Sequence, residues 1–188
     1  MLEAAAISDM YTRGMSASEI GRRLGLSPSQ IFHRMDRYGI KRRSRSEAAY
    51  KKRNPLGDPF HIKRELVQEE RVLKSVAVGL YWADACKSNP LSVRISHTDP
   101  QVLRTFVVFL RDICGVSQNK IRVTLIVNHK MLVKEAESFW SEQLGLPVAQ
   151  FSKTTVLKGK KGIHRRIQHY GTATVQVHNQ KLRQLLDR

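Results

Sequence analysis

Between Lys74 and Lys87 the chain reads Ser-Val-Ala-Val-Gly-Leu-Tyr-Trp-Ala-Asp-Ala-Cys, an apolar run carrying one acid in a sequence otherwise crowded with charge. The run is about half the roughly 20 residues that a membrane span needs, so it is expected to be buried against protein. Ser75, Gly79 and Ala83 recur every fourth residue. On a helix that spacing makes one stripe, along which a second backbone can approach closely. Asp84 then falls in the last turn, where the helix macrodipole disfavours a carboxylate by about 0.3–1 kcal/mol unless a cation or donor compensates. A metal ion is one such cation.

The segment Ala77-Val78-Gly79-Leu80-Tyr81-Trp82-Ala83-Asp84-Ala85 resembles the signature helix of the LAGLIDADG homing endonucleases, lying on the nine motif positions. The acid that binds metal in that family falls on Asp84. Trp82 stands where the motif often has an acid, and Ala85 where it ends in glycine. The resemblance implies that residues 60–188 form a single-motif α+β domain whose saddle-shaped, antiparallel-rich sheet lies on double-stranded DNA. It also implies a homodimer, with Ser75, Gly79 and Ala83 facing their copies across a two-fold axis and each subunit lending one Asp84. Mg²⁺ is the implied cofactor, and Lys153 is the candidate for a basic residue near the scissile phosphate. The bland alternative is an amphipathic core helix with one capped or ion-paired Asp.

The charge balance fits such a partner. Thirty-three Lys and Arg against 16 Asp and Glu give a formal net charge of +17 over 188 residues, with a pI near 10.4. A phosphate backbone is the obvious counter-ion. No stretch joins a basic amphipathic helix to a lipidation signal, so a membrane surface is a poor alternative. Cys86 and Cys114 make neither a disulfide framework nor a zinc spacing, and no basic segment followed by an apolar one opens the sequence. An intracellular protein with reduced thiols is expected. Nothing points to a small-molecule substrate.

Residues 1–40 read as three short helices. Leu2, Ala6, Met10 and Tyr11 mark the first, which Gly14 ends; Ser16-Ala-Ser-Glu19 has the form of a capping box opening a second, with Ile20 and Leu24 inward and Gly25 after it. Ser27-Pro28-Ser29-Gln30 caps a third, with Ile31, Met35 and Tyr38 inward and Gly39 as its stop. The string from Glu19 to Met35 resembles a helix-turn-helix of the resolvase or invertase type. Ser29, Gln30, His33, Arg34 and Arg37 lie off the apolar stripe of the third helix, where side chains reach base edges or phosphates. Residues 41–59 read as a basic linker or arm, in which Arg42, Arg43 and Arg45 join the candidate DNA contacts. Asn54-Pro55-Leu56-Gly57-Asp58-Pro59 supplies the turns that end it.

Residues 60–188 alternate helical and strand patterns without a regular βαβ repeat. Ile62–Val72 is a charged helical lead into the signature helix. Strands are expected at 91–97, 121–127, 150–157 and 171–178, and helices from Thr98 or Asp99 to Cys114, at 130–144 and at 180–186. That pattern predicts an α+β domain with helices on one sheet face and the other face free. Between Glu142 and Asp187 no acid occurs. Lys158, Lys160, Lys161, Arg165 and Arg166 form a basic loop read as a phosphate-tracking hairpin. His164, His169 and His178 lack the companion acid or Asn that an HNH or zinc reading needs. The function implied is a metal-dependent, site-specific endonuclease acting as a homodimer. The alternative is a non-cutting transcription regulator on the same fold.

Overall fold

The computed structural model describes residues 2–55, 57–85, 89–158 and 170–187. They form two compact units, Met1–Asp58 and Pro59–Arg188. No described helix is long and apolar enough to cross a membrane.

The first unit holds α1 (Leu2–Thr12), α2 (Ala17–Leu24), α3 (Pro28–Arg37) and α4 (Arg45–Arg53). Full capping boxes start α2 and α3: the Ser16 and Ser27 hydroxyls accept from the backbone N–H groups of Glu19 and Gln30, whose side chains accept back from the cap N–H groups. Gly25 ends α2 in the left-handed region, at φ 68°. The core is small, built from Ile7, Ala17, Ile20, Ile31 and Met35 with Met10, Tyr11 and Leu26 beside it. Ile7 therefore leads the inward stripe of α1, whereas Ala6, expected there, is exposed. Leu24, also expected inward, is 37% exposed.

Residues 41–53, expected as a basic linker or arm, contain a helix. With no buried residue, α4 has no hydrophobic period to read; what starts it is a third capping box, Ser44 with Glu47.

The second unit is α+β. Its elements are α5 (Gln68–Asp84), β1 (Val93–His97), α6 (Pro100–Val108), β2 (Ile121–Asn128), α7 (Val133–Leu144), β3 (Thr155–Leu157), β4 (Thr172–Val177) and α8 (Gln180–Leu186). The four strands make one sheet in the order β1-β4-β2-β3, with β2 and β3 parallel and the other neighbours antiparallel. The register aligns Val93, Val177 and Ile121 across three strands, then Ile95, Val175 and Val123. All six are buried beneath the helices, along with Leu103, Phe106, Phe109, Leu110 and Trp140.

Three local details differ from the sequence pattern. Helix α5 starts only at Gln68, because residues 60–63 are instead pinned to the end of α6: the N–H groups of His61 and Lys63 donate to the carbonyls of Cys114 and Ile113, each at 2.9 Å. Helix α6, capped by Asp99, continues as a wider π turn over Phe109–Ile113, closed by the Cys114 N–H on the Phe109 carbonyl. The strand expected over 150–157 shrinks to Thr155–Leu157. Pro147 starts a 3₁₀ turn over Val148–Gln150, and the buried Gln150 amide donates to the Gln118 carbonyl. Trp140 then fixes α7 to the start of β4, its indole N–H donating to the Tyr170 carbonyl at 2.8 Å while Phe139 stacks on the Tyr170 ring.

Candidate nucleic-acid interface

The same register that buries one sheet face lines up mostly polar residues, with the apolar Ile126 among them, on the other. Arg94, Gln176 and Arg122 form one row, Ser96, Thr174 and Thr124 the next, and Thr172, Ile126 and Thr155 a third. Ser96 and Thr174 hydroxyls lie 2.7 Å apart, so the second row is hydrogen-bonded across strands. The described strands contain Arg94, Arg122 and His97 and no acid. A polar, half-exposed sheet face with guanidinium groups along one row matches the donor-rich surface a nucleic acid requires. Sequence reading followed the apolar positions of these strands and passed over the polar ones between them.

Helix α5 lies against this sheet. Ala77 and Tyr81 are buried, and Tyr81 stacks parallel to Phe106 with ring centroids 6.1 Å apart. Ser75, Gly79 and Ala83 all face outward and are exposed, with Val72 and Val76 also uncovered. A Cβ added to Gly79 would meet nothing within 4 Å. Ser75 and Gly79 of the stripe help to line an open groove of about 800 Å³, together with Leu66, Val78 and Trp82 and with Arg64, Arg71, Lys74 and the acid Glu65.

The end of α5 is held from below. The Tyr81 phenol donates to Asp187, the Trp82 indole donates to the Leu186 carbonyl at 3.2 Å, and Arg183 bonds Asp187 at 2.6 Å and the Ser92 carbonyl at 3.2 Å. Arg183 is buried under this network. Burial, helped by Asp187, pushes the Tyr81 phenol above its ordinary range. Asp84 itself is exposed on the last turn. Ala85 then leaves the helix with φ −64° and ψ 128° and pairs with Ile95. That backbone suits any L residue, so the exit needs no glycine.

Asp84 has the right chemistry for a hard cation, being an accessible carboxylate oxygen donor. Among the described residues, however, no three His, Cys, Asp or Glu side chains come together to hold a metal. Within the described part of one chain, Asp84 is therefore not part of a group of three such side chains. Lys153 is exposed in the extended segment before β3. Asp84 sits next to β1 and Lys153 next to β2 and β3, at opposite edges of the sheet. Four strand spacings separate the Ala85 bridge on β1 from the Phe151 bridge on β2, so at about 4.8 Å each the two lie on the order of 19 Å apart within one chain.

In the first unit, Ser29, His33 and Arg37 stand one above another on the outer face of α3, with Gln30 beside them, all exposed. Arg34 is turned toward α1, where it pairs with Glu3, which also accepts from the Tyr38 phenol at 3.0 Å. Arg42 pairs with Asp36 over the Phe32 ring. Arg43 lies 3.9 Å above the Tyr11 ring and donates to the Gly14 and Met15 carbonyls. Arg45 and Lys158 are exposed. Lys160, Lys161, Arg165, Arg166, His164 and His169 lie outside the described residues, and His178 is exposed beyond β4.

Neither family models, curated proteins nor solved structures give a match to this chain.

Proposed function

We propose that the chain is a DNA-binding endonuclease that hydrolyses phosphodiesters as a homodimer, its first unit a helix-turn-helix reader and its second a LAGLIDADG-like domain. One observation carries the reading: a single helix, α5, presents an open small-residue stripe and ends in an exposed carboxylate beside the edge of a sheet whose outer face is polar and acid-free.

Each part has its work. The outer face of α3, with Ser29, Gln30, His33 and Arg37, is shaped to enter a major groove. The sheet rows led by Arg94 and Arg122 lie along a second stretch of duplex, with Lys153 and Lys158 on the backbone at the far edge. Two α5 stripes pair about a two-fold axis and bring two Asp84 carboxylates to one place. The two Asp84 carboxylates would hold Mg²⁺, which would supply Lewis-acid activation for phosphodiester hydrolysis. Asp84 contributes the ligand oxygens, and the Tyr81–Asp187–Arg183 network fixes the turn that carries them.

A second reading is a regulator that binds without cutting, supported by the single copy of the motif in the chain. Incubation with a plasmid carrying the chain's own genomic flanks separates the two. Linear product with Mg²⁺ and none with EDTA supports the nuclease; a specific complex that never cuts supports the regulator.

A further inference from the structure

Helix α4 is a helix without a core. None of the residues from Arg45 to Arg53 is buried, and its nine residues fall below the roughly 12–15 that an isolated helix needs to persist in water. Its ends are what hold it. At the front, Ser44 and Glu47 exchange capping bonds, which keep the Glu47 carboxyl below its ordinary range, and Arg43 anchors the preceding residue on Tyr11. At the back, the Asn54 side-chain amide donates to the Tyr50 carbonyl at 2.9 Å and the Tyr50 phenol donates to Asp58 at 3.1 Å.

Between those ends the surface is Arg45, Lys51, Lys52 and Arg53 against the single acid Glu47, which the cap already uses. Three cations in the last turn suit the negative end of the helix dipole. A partner with closely and regularly spaced negative charge would relieve their mutual repulsion. A phosphate backbone is such a partner.

We propose that α4 is a phosphate-docking helix for duplex DNA, marginally stable in the free protein and fixed when Arg45, Lys51, Lys52 and Arg53 lie along the backbone. The proposal rests on reading the first unit as a DNA binder and adds to it a surface that orders on contact.

Amide hydrogen exchange on the full chain, with and without a random-sequence duplex at about 50 mM salt, tests it. Exchange over residues 48–53 is expected to slow tenfold or more on binding. Replacing Lys51, Lys52 and Arg53 together by Gln preserves helix propensity and should lower the slope of log affinity against log salt by about 2–3. Ala48→Gly with Ala49→Gly leaves every charge in place and should weaken binding about tenfold. A bound complex with unchanged exchange over 48–53 and an unchanged salt slope overturns the proposal and leaves the DNA reading standing. Failure to bind any duplex overturns both.

Discussion

The phenol of Tyr81 and the carboxylate of Asp187 are 106 positions apart in the chain and 3.1 Å apart in the fold. Arg183 completes the group, bonding the other Asp187 oxygen while its guanidinium lies 5.6 Å from the Tyr81 ring. The two ionic partners are unequally wet: the Arg183 side chain is 6% exposed and that of Asp187 41%. Removing the carboxylate strands a buried cation, whereas removing the cation leaves an acid that water can solvate. Asp187→Ala should therefore cost about 2–3 kcal/mol and Arg183→Met about 1 kcal/mol, read by urea denaturation. Equal costs, or a larger one for Arg183→Met, would contradict this asymmetry.

Alkaline stability should carry the signature of two buried acids. Burial pushes the Cys114 thiol up to about 12 from 9.0, with Lys74 opposing weakly, and raises the Tyr81 phenol as well. Both groups keep in the fold a proton that the unfolded chain releases. Their contribution is thus complete below about pH 9 and is lost as pH rises toward 12. Each should add a slope of up to about 1.4 kcal/mol per pH unit in that window. Cys114→Ala costs stability at neutral pH but should flatten the decline above pH 9; an unchanged slope would refute the assignment.

The amino-terminal helices were legible because their stops and starts are local. Ser16, Ser27, Gly25 and Pro28 act on their own neighbours within one turn, and the structure places them at those caps and stops. The α4 helix was missed for the complementary reason, since its signal was a cap at Ser44–Glu47 with no apolar period behind it. The α+β character also followed from pattern. Partner choice did not. Arg34 and Arg43 read as surface cations, and nothing in their neighbourhoods announces Glu3 or Tyr11 as what they meet.

Gly21 tests the close approach within the first unit. A Cβ there would press into the Leu26 carbonyl oxygen, a backbone atom that the turn between α2 and α3 holds in place. Gly21→Ala should destabilise these helices by about 1–3 kcal/mol, seen as faster amide exchange across α1–α3. Unchanged exchange would mean that the turn yields easily.

Gly79 tests self-association. Because a Cβ there meets nothing in the chain, Gly79→Leu should leave the fold and its melting temperature nearly unchanged. Light scattering at micromolar concentration should give dimers for the wild type and monomers for Gly79→Leu. A wild type that stays monomeric with and without DNA would remove the stripe from the account.

Asp84 decides whether the fold cuts what it binds. The carboxylate is exposed and belongs to no group of three or more candidate metal ligands within the described part of its own chain. Asp84→Asn removes the ligand charge while keeping the shape, so it should act on chemistry and not on docking. The direct measurement is linearisation of a plasmid containing the bound site, wild type against Asp84→Asn, in Mg²⁺, alongside DNA affinity in EDTA. The account predicts Mg²⁺-dependent cutting by the wild type, none by Asp84→Asn, and affinities within a few-fold of each other. Cutting that survives Asp84→Asn, or a wild type that binds its site and never cuts it, would contradict it.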